Sequence, residues 1–332
     1  MSDDMANSNV EQVLAEIMEG SNRCERRRRA ESTSEPSTST SLKVFNLSGI
    51  QIYRKYEETE LRMMVRECKC CEDTTKQFVQ TDIIATLMKM FKFNTLTVRT
   101  FVFGIMYTEQ LSERQTDFPF GFELLEAAHA AGPPFRICAK ILRWGTFLPS
   151  QAFLYGFFKC FDANILNKIE IKFTNVTSDL SEFAKLEQWQ NLKRINMSCT
   201  LDVPLDVFFH AKYLRLRYVK LQVDDICAII TNYTSRDLPL LARFHLNILE
   251  AGVSFRFWDE MYRKLEAAGE TEPNDFEIGP FDHCFRVYKM PNPEHVLAVE
   301  IGKPGEGGFV LVRGSVCQRS RLKSDFTIVY RW

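Results

Sequence analysis

Between Leu154 and Lys220 three apolar runs recur at a nearly constant interval, each followed by a segment with helical spacing. The runs are Lys168-Ile-Glu-Ile-Lys-Phe173, Leu192-Lys-Arg-Ile-Asn-Met197 and Tyr213-Leu-Arg-Leu-Arg-Tyr-Val-Lys-Leu221, so their starts at 168, 192 and 213 lie 24 and 21 residues apart. A unit of that length cannot bury its apolar face alone, and a stacked neighbour solves the problem. The recurrence therefore predicts stacked strand–helix units, an architecture that usually works by binding proteins rather than by catalysis.

The same alternation extends to either side. Val44-Phe-Asn-Leu-Ser-Gly-Ile-Gln-Ile-Tyr53 and Leu61-Arg-Met-Met-Val65 read as strands joined by the polar turn Tyr56–Glu60. A helix is expected over Thr81–Lys92, with Ile83, Ile84, Leu87, Met88 and Phe91 on one face. Then come the strand Leu96–Phe103, a helix over Phe120–Ala130 stopped by Gly132-Pro-Pro134, the strand Phe135–Leu142 and a helix from Pro149 to Phe158. Within the repeat core helices are expected around Ser181–Gln190 and Pro204–Phe209, and beyond it over Val223–Tyr233 and Ser254–Ala268, with another strand at Leu241–Ile248. Strands alternating with helices of this size imply βα units and a parallel sheet. The close spacing favours an open, curved, leucine-rich-repeat-like stack over a closed barrel, although the asparagine ladder of the standard leucine-rich repeat is absent.

The C-terminal segment changes style. Cys284–Lys289, Val296–Ile301, Phe309–Arg313 and Phe326–Tyr330 are short apolar runs separated by Pro and Gly, which predicts an antiparallel β cap. Gly302-Lys-Pro-Gly-Glu-Gly-Gly308 is a hairpin loop and not a phosphate loop, because no Gly-Lys-Ser/Thr follows. The organisation expected is a tail over residues 1–40, strand–helix units over 41–134, an α/β repeat domain over 135–272 and the cap over 273–332.

In the tail, Val10, Val13, Leu14, Ile17 and Met18 form one face of a short helix ended by Gly20. Arg26–Arg29 precede a Ser/Thr/Glu/Pro stretch too polar to offset the entropy of ordering. The arginine run reads either as a solvated charge cluster or as a nuclear-localisation or polyanion-contacting patch. The net charge of −1 gives no reason to expect nucleic acid or an anionic membrane as partner. No apolar run reaches the length of a membrane helix, and Met1-Ser-Asp-Asp-Met-Ala-Asn-Ser8 lacks the apolar core of a signal peptide. A cytoplasmic or nuclear protein is expected.

Ten cysteines, mostly single and within apolar runs, fit buried free thiols. Cys68, Cys70 and Cys71 cluster in polar company but lack the second ligand pair that a zinc site needs. The five histidines are scattered, and there is no GxSxG, GxGxxG after a strand, or HExxH. Asp224 and Asp225 stand where acids meet a helix N-terminus favourably. The expectation is a non-enzymatic protein without cofactor or metal.

Three segments in order carry a family resemblance: Asn164–Phe173, with its Ile-Glu-Ile strand; Leu186-Glu-Gln-Trp-Gln-Asn-Leu-Lys-Arg-Ile-Asn196; and Phe208-Phe-His210. Together they resemble the FTH domain of the nematode F-box proteins, with Gln190 where the family has Lys. The resemblance is clearest from Phe135 to Ile248. It implies a protein-interaction module that presents substrates to a cullin–RING ubiquitin ligase, coupled through an N-terminal F-box to a Skp-type adaptor. Residues 1–40 hold no Leu-Pro pair and only the Val10–Met18 helix, so no intact F-box is legible there. Two roles stay open: a ligase substrate receptor, or a scaffold or competitor acting outside ubiquitination.

The motif residues Ile169, Ile171, Leu186, Glu187, Gln188, Trp189 and His210 read as structural. Trp189 would wedge helix against sheet; Gln188 and Glu187 would bond nearby backbone or face solvent. Alternation puts Ile169 and Ile171 inside and leaves Lys168, Glu170 and Lys172 outside. That row, with Lys193, Arg215 and Arg217, is either the concave partner-binding face of the stack or a solvated polar sheet face.

Overall fold

Period-two alternation dominates the chain, and strands dominate the architecture. A computed structural model describes residues 45–54, 61–66, 75–79, 96–105, 135–145, 151–171, 180–249, 283–302 and 309–321, and also 83, 87–88, 90–91, 126–127, 130, 257, 260–261 and 263–265. The elements, in order, are β1 (Phe45–Arg54), β2 (Leu61–Arg66), β3 (Thr75–Val79), β4 (Leu96–Ile105), β5 (Ala139–Gly145), α1 (Gln151–Lys159) and β6 (Lys168–Ile171). Then follow α2 (Ser181–Ala184), α3 (Glu187–Gln190), β7 (Arg194–Leu201), a 3-10 turn (Leu205–Phe208), β8 (Tyr213–Tyr218), α4 (Val223–Thr234) and β9 (Arg243–Leu249). The chain ends in β10 (His283–Lys289), β11 (His295–Gly302), β12 (Phe309–Gln318) and a 3-10 turn at Arg319–Arg321.

The chain divides into two units, Met1–Lys172 with Leu186–Asn191, and Phe173–Lys185 with Leu192–Trp332. In the first, the strand order is β6-β5-β4-β1-β2-β3. Strands β6, β5, β4 and β1 pair in parallel, and β2 and β3 add an antiparallel edge. In the second, the order is β7-β8-β9-β12-β11-β10. Strands β7, β8 and β9 are parallel, and the C-terminal hairpins bring β12, β11 and β10 alongside antiparallel. Parallel strands joined by helical segments and an antiparallel C-terminal segment are thus present, as the sequence leads one to expect.

Three local readings are corrected. The middle strand of the recurrence starts at Arg194 and not at Leu192, so the starts at 168, 194 and 213 lie 26 and 19 residues apart. The helix expected around Ser181–Gln190 is two four-residue turns, broken where Leu186 adopts extended backbone (φ −77, ψ 137) and turns its side chain inward. Strand β3 was unanticipated: Thr75-Lys-Gln-Phe-Val79 is too short and polar to stand out, and it pairs only with β2 among the described strands. The tail 1–40, Cys68, Cys70, Cys71, Lys172, residues 303–308 and the run Phe326–Tyr330 lie outside the described residues.

Each unit has its own core. In the first, an unbroken series of rings runs from Trp144 through Phe157, Phe161 and Phe158 to Trp189, with Phe101 against Phe157 and Phe161. Most of these pairs meet edge to face, the arrangement the ring quadrupoles favour. Ile83, Leu87 and Phe91, one helical face, are fully buried, as are Ile50, Val98 and Ile137. In the second unit, Leu214, Leu216 and Tyr218 of β8 and Phe244, Leu246 and Ile248 of β9 point to the buried side, with Val310, Val312 and Val316 of β12. Helix α4 contributes Ile226, Ile229, Ile230 and Tyr233; the Tyr233 ring lies 5.0 Å from that of Phe244 and its hydroxyl donates to the Arg243 carbonyl at 3.1 Å. Gly314 sits opposite Phe244 in the ladder, and a Cβ there would run into the Phe244 ring.

Candidate functional site

The strand alternation that buries one side of the second unit's sheet turns a chemically uniform set to the other side. Ladder pairing aligns Arg194 with Tyr213, Asn196 with Arg215, Arg215 with His245 and Arg217 with Asn247. It also sets Tyr213 against Arg243, Arg313 against His245 and Ser315 against Arg243. Five arginines from four strands therefore share one face: Arg194, Arg215, Arg217, Arg243 and Arg313. Among the described residues of that face, the one carboxylate is Glu300, opposite Arg313 at the β11 side. Arg194 and Arg215 are exposed, while Arg217, Arg243 and Arg313 are half-buried.

The arginines condition one another. Arg194 lies over the Tyr213 ring at 4.3 Å, a cation–π contact that holds the guanidinium along the strand surface. Arg313 reaches Glu300 at only 3.9 Å, the outer limit of an ion pair. His245, in the middle of the face and buried, has its Nε2 3.0 Å from Asn247 Oδ1. Burial, partly offset by that hydrogen bond, together with the charges of Arg313, Arg215 and Arg243, pushes the imidazole down to about 4. Burial and the neighbouring Arg194 and Arg215 likewise lower Arg243. At neutral pH His245 is a neutral polar spacer in a positive field.

The charged row of the first unit is built differently. Glu170 was expected to face solvent with Lys168, but only 9% of it is exposed. Strand β6 pairs in parallel with β5 and is covered on both faces, so Ile169, Glu170 and Ile171 are all buried. Arg143, its ladder partner on β5, bonds Glu170 Oε2 through Nε at 2.7 Å, and Lys168 Nζ bonds Oε1. Burial alone would raise the Glu170 carboxyl; the Lys168 hydrogen bond and the Arg143 charge outweigh it and hold the group below the usual carboxylate range. This row closes on itself.

Of the sequence-selected residues, Arg215 and Arg217 share the arginine face, whereas Lys193 is exposed in the bend before β7 and its neighbour Arg194 takes the place in the ladder. Lys168 and Glu170 belong to the first unit's ion cluster. Arg194, Arg243, Arg313 and His245 went unselected. The alternation Arg243-Phe-His-Leu-Asn247 carried the signal for β9, whereas nothing local could place Arg313 beside it, since that pairing joins distant segments.

The motif residues hold the scaffold. Trp189 is 1% exposed, its ring 6.4 Å from Phe158. Gln188 is buried and donates through Nε2 to the carbonyls of Lys159 (3.2 Å) and Phe161 (3.0 Å), and Asn191 donates to Ala163 (3.2 Å). Together they satisfy the carbonyls where the chain leaves α1 and makes a bridge from Phe161 to Ile137. Leu186, Ile169 and Ile171 are core, and Glu187 is exposed. In the second unit Arg236 gathers the backbone of the Phe209-His-Ala211 turn: Nη1 bonds the Phe209 carbonyl and Asn232 Oδ1 (3.1 Å), and Nη2 bonds the His210 carbonyl (3.0 Å). That clasp steers the chain into β8, so the His210 segment is held by its main chain. Asp225 accepts from the Gln222 amide at 2.8 Å as half of a capping box, and Asp224 pairs with Lys264 at 2.6 Å.

Cys138 and Cys160 are buried free thiols, each pushed up to about 11 chiefly by burial, which leaves them poor nucleophiles at neutral pH. Among the described residues no group of three or more His, Cys, Asp or Glu side chains is placed to hold a metal ion. No described helix is long and apolar enough to cross a membrane.

No curated protein and no solved structure matches this chain. A family model does: residues 137–238 match the FTH domain, and that span contains the Ile-Glu-Ile strand, the Leu-Glu-Gln-Trp turn, the clasped Phe-Phe-His segment and Arg236, so this part of the chain is similar to the FTH domain.

Proposed function

We propose that this protein is a non-enzymatic interaction module of the leucine-rich-repeat-like α/β type, the substrate-recognition part of a cullin–RING ubiquitin ligase, and that the arginine face of its second unit is where the protein substrate binds. The observation that carries the reading is the asymmetry of that sheet: one side is apolar, and the other carries five arginines from four strands, exposed at Arg194 on β7 and Arg215 on β8. A shape of this kind offers an extended surface for a partner and does not by itself assemble a nucleophile with a base. FTH domains typically accompany an F-box, which supports the ligase setting. The poorly nucleophilic buried thiols suit an intracellular, reducing location.

A second reading is that the chain does not couple to a ligase adaptor. The protein then acts as a scaffold or competitor outside ubiquitination, using the same face. Co-purification of the full chain with a Skp-type adaptor separates the two. A stoichiometric complex is expected for the receptor. Failure to bind the adaptor in equilibrium measurements overturns the ligase role and leaves the scaffold.

A further inference from the structure

The arginine face also specifies the chemistry of what it binds. We infer that it takes an extended acidic peptide with carboxylates at alternate positions; this rests on the reading of that face as the partner-binding surface. Arg194 and Arg215 are exposed on adjacent strands, and Arg215 and Arg217 are two residues apart on one strand. Neighbouring strands lie about 4.8 Å apart, and alternate residues of an extended chain lie about 6.6 Å apart. Arg194 stands opposite Tyr213, so it lies one strand and two residues from Arg215; guanidiniums on long stems span that diagonal and the step from Arg215 to Arg217, so successive carboxylates of an extended peptide meet successive arginines.

Residue type supports the choice. The cations that β7, β8, β9 and β12 place on this face are all arginine, whose planar fork binds carboxylates through two parallel hydrogen bonds, and Arg194 is already oriented by Tyr213. Between them lie uncharged polar groups, Asn196, Asn247 and Ser315, which can donate to a peptide backbone without repelling it. His245, buried and neutral, adds no further cation to the face, and the exposed positions are Arg194 and Arg215. A nucleic acid is the weaker fit: the chain's net charge is −1, and the ring of Tyr213, which could have stacked on a base, is occupied by Arg194.

The test uses full-length protein and fluorescent decapeptides, alternating Glu-Ser and alternating Lys-Ser, with a single-stranded DNA decamer, titrated by anisotropy at low and moderate salt. Binding of the Glu-Ser peptide is expected, weakening with salt, and absent for Lys-Ser. Arg215→Glu and Arg194→Glu each weaken it at least tenfold without changing the melting temperature, whereas Lys220→Glu, a reversal of equal charge at an exposed position beyond β8, leaves it within twofold. No Glu-Ser binding, equal loss in Lys220→Glu, or tighter binding of DNA than of peptide overturns the acidic-peptide proposal. A protein partner whose binding depends on Arg215 would then still uphold the face as the interaction surface. A partner indifferent to Arg215→Glu and Arg194→Glu would remove that reading as well.

Discussion

Two rows of charged strand residues, written alike in the sequence, have opposite fates. In the first unit, Lys168, Glu170 and Arg143 neutralise one another on a strand covered on both faces. In the second, arginine follows arginine across the sheet, and Glu300 is the one described carboxylate on that side. Alternation of apolar and charged residues therefore says that a strand has two sides, but not whether the charged side is satisfied from within. The ladder partner decides: Arg143 stands opposite Glu170, whereas His245 stands opposite both Arg215 and Arg313.

The comparison can be broken by substitution. The largest effect is expected where the first unit's motif enters its core: Trp189→Ala should cost about 3–5 kcal/mol in chemical denaturation, because the ring is buried at the end of the aromatic series. An unchanged unfolding midpoint with altered partner binding would make Trp189 part of a recognition surface and erase the contrast between scaffold and face. Glu170→Ala comes next, at about 1–2 kcal/mol, since it strips Lys168 and Arg143 of their common carboxylate; Arg143 is half exposed, so solvent takes up part of the loss.

The acid limb of stability distinguishes the two units further. His245 binds its proton less readily folded than unfolded, so the unfolded chain gains protons first, and stability should fall as pH drops from 6.5 towards about 4. His245→Gln should flatten that window in pH-dependent thermal melts. In the first unit, the depressed carboxyl of Glu170 contributes stability above the ordinary carboxylate range and loses that contribution as pH falls through its folded pKa. The smallest effect on stability is expected for Arg215→Ala, within about 0.5 kcal/mol for an exposed strand position. A loss of several times that size would mean that the arginine face is packed and not presented.

Much of this was legible before any coordinates. The parallel strands, the C-terminal antiparallel segment and the family motifs follow from period-two runs and short recognisable segments, because those signals are local. Glu170 was misplaced because burial of a parallel strand on both faces depends on what covers it. Arg313 and Glu300 escaped notice because their neighbours come from other parts of the chain, brought together by the antiparallel return of β12 onto β9. Arg215 was found and Arg194 missed for one residue of register, the difference between the bend at Lys193 and the first position of β7.

The Arg236 clasp has a consequence for which substitutions this domain can absorb. What Arg236 grips is the carbonyls of Phe209 and His210, and every residue type has a carbonyl. The identity of the side chain at 210 is thus free to drift as far as this grip is concerned, while the gripping position is not: lysine, with a single point of charge, cannot span two carbonyls and Asn232 at once. Information for this turn is stored some two dozen residues downstream of the turn itself, in the residue that grips its main chain.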